Sequence, residues 1–64
     1  MQRYFIQEMI DEDTVTVSGD DFHHMTRVMR METGDRFYGV VNTRTALIEI
    51  DDILEQTLRG RIVE

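Results

Sequence analysis

The sequence predicts a mainly β chain, a small β-barrel of about five strands with one short α-helix. Three observations lead there. Apolar residues recur with a period of two in several short runs, which is the pattern of half-buried strands. One stretch in between changes to helical spacing behind a capping signal. The chain is 64 residues long and has no cysteine, so it holds one domain at most, and its stability must come from apolar packing with no help from disulfides or a thiolate zinc site.

In chain order, Arg3–Ile6 is a β-prone run. The acidic turn Asp11–Asp13 follows, then Thr14–Ser18, whose alternation puts Val15 and Val17 on one face. Ser18 is placed to cap a helix, with Asp21 three residues on and both Asp20 and Asp21 at the positive end of its dipole. The helix is predicted from about Gly19 or Asp20 to about Arg30, and Gly34 ends the turn behind it. Beyond Gly34 the period returns to two in Arg36–Val41, Ala46–Ile50 and a run ending in Arg61–Glu64, with Asn42–Thr45 as a hairpin connection. Ile53, Leu54 and Leu58 also fit a helical spacing, but Thr57 and the surrounding β pattern favour a loop leading into a strand over residues 51–60. Five strands and a helix can close as a barrel plugged at one end, which removes exposed strand edges.

Thirteen acidic residues against seven basic ones give a formal net charge of -6, whereas a free-standing nucleic-acid binder is usually basic. The distribution qualifies the sum, because a surface field acts over roughly 8 Å at physiological salt. Acids gather at Glu8, Asp11, Glu12 and Asp13 and again at Asp51, Asp52 and Glu55, while Phe22–Met31 holds two arginines, two histidines and no acid. Every basic residue is arginine, which suits two-point phosphate contacts and is equally what genome composition can produce. No apolar run approaches the ~18 residues of a membrane span, so the chain is expected to be soluble and cytoplasmic. There is no phosphate-binding glycine loop, dinucleotide fingerprint, metalloprotease box or nucleophile and base pair, and no catalytic residue is assigned.

On a helix at 100° per residue, Phe22, Met25, Val28 and Met29 form an apolar stripe facing the barrel. The opposite side gathers His23, Arg27 and Arg30 in one row, with Thr26 beside them. Arginine takes phosphate through two parallel hydrogen bonds and stacks on unpaired bases. The same row is also what a helix carboxyl end with dipole-complementing cations would present. Adjacent His23 and His24 point about 100° apart and cannot chelate one metal together; no metal site is expected, and His24, at the edge of the apolar face, should be partly buried and hydrogen-bonded. Arg3 beside Tyr4 and Phe5 combines a cation with aromatic rings, although aromatics in a β run more often belong to the core. Arg44, Arg59 and Arg61 extend a basic surface or solubilise strand edges.

The opening Met1–Phe5, the central His23–Met31 and the pair Gly34–Asp35 resemble the amino-terminal domain of the RsmE family, the 16S ribosomal-RNA uridine N3-methyltransferases. In that family an aromatic-containing first strand precedes a helix reading His-His or Asn-His, a basic position, Val-Leu-Arg-Met, then Gly-Asp or Gly-Gln. The spacing fits here without a gap, with Met29 where the family often has leucine. The resemblance covers essentially the whole chain and is least specific from Asn42 onward.

The resemblance implies that residues 1–64 are a PUA-like RNA-binding domain of a two-domain parent. It further implies a carboxy-terminal domain of the trefoil-knotted SPOUT type that binds S-adenosylmethionine, forms the homodimer and transfers the methyl group, and that is absent from this sequence. No cofactor is then expected on these residues. The implied partner is 16S ribosomal RNA or the small ribosomal subunit, and the positions matching the family's basic RNA-facing surface are Arg3, His23, Arg27 and Arg30. A reading of a different class is a small protein-interaction barrel whose acidic turns dock a basic partner.

Overall fold

A computed structural model describes residues Arg3–Glu64; Met1 and Gln2, the first two residues of the opening motif, lie outside it. The described residues form one curled sheet of six strands in the order β1-β4-β5-β6-β3-β2. These are β1 (Arg3–Phe5), β2 (Glu8–Met9), β3 (Thr14–Ser18), β4 (Arg36–Val41), β5 (Arg44–Ile53) and β6 (Thr57–Ile62). The helix α1 (Gly19–His23) sits between β3 and β4 and runs directly into a π-helical turn, His24–Val28. No helix among the described residues is long and apolar enough to cross a membrane.

The architecture is the mainly β fold the periodicity predicts, as a half-barrel with one more strand than expected. The sixth is β2, two residues long and too short to show an alternation. The two outer positions of the sheet, β1 and β2, are neighbours in sequence. Arg3–Ile6 follows β4, in parallel register up to Phe5 opposite Val40 and with the Ile6 amide donating to the Val40 carbonyl at 3.0 Å. Glu8 and Met9 then pair with β3. Only Ile6 and Gln7 separate the two ladders, so the chain itself bridges the seam that a closed barrel would zip with hydrogen bonds.

Inside the curl lie Tyr4, Val15, Val17, Phe22, Met25, Phe37, Ile48, Ile50 and Leu58, all buried. Val15 and Val17 share the inner face, as their spacing requires. Ile48 is fully buried at the centre of β5, and two glycines make room for it: a Cβ on Gly39 of β4 would lie 2.6 Å from its Cδ1, and one on Gly60 of β6 would lie 2.6 Å from its Cγ2. Strand interiors usually disfavour glycine. Here a missing side chain on each neighbouring strand lets the sheet curl around one isoleucine.

The connections follow local chemistry. The Asp11 carboxylate accepts from the amides of Asp13 and Thr14, both at 2.9 Å, which builds the acidic turn and holds its pKa below the ordinary carboxylate value. At the next turn Asp35 donates its amide to the Glu32 carbonyl and its carboxylate accepts from the Glu32 amide, while Gly34 takes φ 95°. Residues 51–60 are strand, tight turn and strand: β5 continues to Ile53 through an irregularity between Ile50 and Asp52, and Leu54–Gln56 turns the chain into β6. The two aspartates that look like a turn in the sequence stay in the strand, where Asp52 pairs with Arg59 across the ladder at 3.6 Å.

Between β4 and β5 the turn is made by Asn42 and Thr43 alone, with φ 49° and 68°. Two positive φ values identify the mirror-image hairpin turn that matches strand twist, for which Asn-Gly is the preferred pair. A β-branched residue there is strained. Thr43→Gly is therefore expected to stabilise the domain by about 1 kcal/mol, read as a rise in Tm of about 4–8 °C for a domain of this size. An unchanged or lower Tm would show that the turn tolerates threonine without strain.

Candidate nucleic-acid interface

The helix departs from the ideal spacing in a way that rearranges the predicted row. Ser18 occupies the cap position with extended backbone, but its side chain makes no capping hydrogen bond; Gly19 turns the chain into the helix at φ 65° instead. Further on, the Thr26 hydroxyl donates to the Phe22 carbonyl at 2.8 Å. That hydroxyl competes with the backbone for the carbonyl four residues back, and the following turn is wide, with the Met29 amide reaching the His24 carbonyl at 2.9 Å and the Met31 amide reaching that of Met25 at 2.9 Å.

The extra residue per turn changes which side chains face inward. Phe22 and Met25 point into the core as the apolar stripe predicts, but Val28 and Met29 are 68% and 54% exposed. Their place against the core is taken by Met31. The expected helix to Arg30 stops at Val28, and Arg30 lies beyond it at φ 53°. His23 and Arg27 remain on the exposed side of the helical segment, and Arg30 presents its charge from the connection behind it, also exposed. Neither Arg27 nor Arg30 makes an ion pair with a described residue, whereas Arg36 and Arg59 on the sheet are paired to Glu49 and Asp52.

His24 and the first strand show how this segment is fixed. The side chain of His24 is half-buried, and its Nδ1 lies 2.9 Å from the Tyr4 hydroxyl, the structural role expected from its place beside the apolar face. Tyr4 is buried and meets Phe37 edge-on at 5.8 Å. Burial, with a smaller effect of the nearby Asp21 carboxylate, raises the Tyr4 pKa. The neighbours Arg3 and Phe5 point the other way, to the outer face of the sheet, and Phe5 is 70% exposed. Of the two aromatics expected in the core, only Tyr4 is there. Of the four predicted basic residues, Arg3 is on the sheet's outer face and the other three belong to the helical segment and its exit.

A family model described as the RNA methyltransferase PUA domain matches residues 17–53, the span from the end of β3 through the helical segment to the end of β5. The chain belongs to this family. The PUA domain matches ribosomal RNA small subunit methyltransferase E of Bacillus subtilis (strain 168) at 42% identity over 40 residues, 56% of this chain and 16% of that protein, in agreement with the RsmE resemblance. Among solved structures, that of a hypothetical protein superposes with a TM-score of 0.83 at 28% identity, covering 98% of this chain and 28% of the other. A predicted RNA methyltransferase from Thermotoga maritima superposes with a TM-score of 0.80 at 21% identity, covering 97% and 28%, a likeness of fold. The match thus takes in well under a third of the length of each of these relatives. Three of the four predicted site residues, His23, Arg27 and Arg30, fall inside the family match, and Arg3 falls outside it.

Methyltransferase relatives imply a methyl donor, S-adenosylmethionine, and the groove along the seam of the sheet has no cationic side chain to match its carboxylate. That groove, of about 560 Å³, runs between Phe5–Glu8 and Thr16–Asp21. It is open, and its rim carries the carboxylates of Glu8, Asp20 and Asp21.

Proposed function

We propose that this PUA domain is an RNA-recognition module that positions 16S ribosomal RNA for methylation at N3 of a uridine, with the methyl group drawn from S-adenosylmethionine outside these residues. Catalysis, donor binding and the homodimer belong to the larger remainder of such an enzyme, and the domain works in the cytoplasm on the small ribosomal subunit. The observation that carries this reading is the exposed cationic segment His23, Arg27 and Arg30 lying within the family match of an RNA methyltransferase domain. Arg3 adds a third arginine, from β1. Arginines of this kind take phosphate oxygens in pairs of hydrogen bonds. Such contacts orient an RNA without reading its sequence, which fits a net charge of -6: the domain needs a local cationic surface, with much of the affinity supplied elsewhere.

The test is binding of a ribosomal-RNA stem-loop containing the target uridine, against an unrelated stem-loop, at low and moderate salt. The domain should bind the target, with affinity that falls as salt rises. Arg27→Ala with Arg30→Ala should weaken binding and reduce the slope of log K against log salt by about 1 for each phosphate no longer neutralised. Binding that is weak and identical in the double variant would favour a protein-interaction barrel.

A further inference from the structure

The outer face of β1, β4 and β5 carries aromatic rings that the core does not use. Side chains alternate across a sheet, and the register puts Arg3 beside Tyr38, Phe5 beside Val40, Leu47 beside Tyr38 and Thr45 beside Val40. Phe5 is 70% exposed and Tyr38 38% exposed, while Tyr4, Phe37 and Ile48 fill the inner face of the same strands. Next to Tyr38, a shallow depression of about 180 Å³ is lined by Tyr38, Thr45, Leu47 and Glu64, room for one small ring.

We propose that this face is a stacking platform for unpaired bases of single-stranded RNA, with Phe5 and Tyr38 each taking a base and Arg3 neutralising the phosphate between them. The proposal rests on the RNA-recognition reading above and deepens it by naming a second contact, away from the helical segment, and the form of RNA it takes. Every base offers a π-face, so aromatic rings set beside arginine hold single strands with little regard to sequence. The surroundings favour this occupant over a protein. Phe5, Val40, Tyr38 and Leu47 adjoin on this face with the cation of Arg3 directly beside Tyr38, which suits rings linked by phosphates, and Glu49 on the same face is already neutralised by Arg36 at 3.1 Å. A stacked base answers both the ring and the charge.

The experiment compares binding of a short single-stranded oligouridylate and of a blunt RNA duplex to the wild-type chain, to Phe5→Ala/Tyr38→Ala, to Phe5→Tyr/Tyr38→Phe and to Arg27→Ala/Arg30→Ala, each first checked for an unchanged thermal transition. Truncating the two rings should weaken single-strand binding at least about fivefold and leave duplex binding unchanged, and the variant that keeps both rings should bind like wild type. Undiminished single-strand binding by the alanine pair, with a loss in the arginine variant, would overturn the platform and leave RNA recognition standing. An equal loss for strand and duplex would overturn it as well. Failure of the wild-type chain to bind the single strand would overturn the platform, and the ribosomal stem-loop test above decides the RNA-recognition reading separately.

Discussion

Ile48→Ala should leave the domain largely unfolded at room temperature. Its side chain is fully buried, on the strand that pairs with Phe37 on one side and Ile62 on the other. Truncating such a residue costs about 2–5 kcal/mol, and a single core of this size rarely supplies more than about 3–5 kcal/mol. Neither Gly39 nor Gly60 has a side chain to move into the space. Urea titration followed by circular dichroism measures the loss; a cooperative transition within about 1 kcal/mol of wild type would mean that the curl collapses onto the cavity. The close approach also predicts a compensation. Gly39→Ala presses on the Ile48 Cδ1 and the Ile6 side chain and should cost about 1–3 kcal/mol, and Ile48→Val removes that Cδ1. Combined, the two should cost less than the sum of their separate effects, whereas independent sites simply add.

The second large effect is expected at Tyr4, which ties the first strand to the helical segment through His24 and to β4 through Phe37. Tyr4→Ala should destabilise by about 3–5 kcal/mol, the range for a buried aromatic ring. Tyr4→Phe removes only the hydroxyl and should cost about 1 kcal/mol. The phenol also gives a pH signature. Its folded-state pKa is raised, so its stabilising contribution is complete below the ordinary value of 10.0 and is lost as pH rises through the folded value. Denaturation midpoints should fall at strongly alkaline pH more steeply for wild type than for Tyr4→Phe. Equal alkaline losses in the two proteins would show that Tyr4 ionisation is not coupled to folding.

Much of the fold is legible in the residues. Val15 and Val17, the Arg36–Val41 run and the Asn42 hairpin follow directly from period two and turn chemistry. The departures have physical causes that a periodicity cannot register. A helical wheel assumes equal rotation at every residue, and the Thr26 hydroxyl beside the Phe22 carbonyl accompanies a wide turn that exposes Val28 and Met29 and leaves Arg30 outside the helix. Asp51 and Asp52 have turn-like composition, yet a local irregularity keeps them in β5. The split of Tyr4 from Phe5 was in principle available from strict alternation, since successive strand residues face opposite sides, and the same rule sets Tyr38 apart from Phe37. Local basicity was legible as well, because Phe22–Met31 contains no acid. Sequence spacing does not disclose that Arg3 serves a different face from Arg27, which depends on how the seam is bridged.

The bridging of that seam also governs the order in which the molecule can assemble. The hairpins β4-β5 and β5-β6 join residues close in sequence and form at small cost in chain entropy. The partner of β1 is β4, on the far side of the helix, so β1 waits for its pairing until the helical segment and β4 have both been made. Pairings of such sequence separation slow folding, and until they form, an unpaired aromatic strand is the segment most open to association with another chain. Its first line of protection is the run of acids that follows it: Glu8 of β2 and Asp11, Glu12 and Asp13 of the turn travel with β1 through that interval and repel a second copy of the same nascent segment.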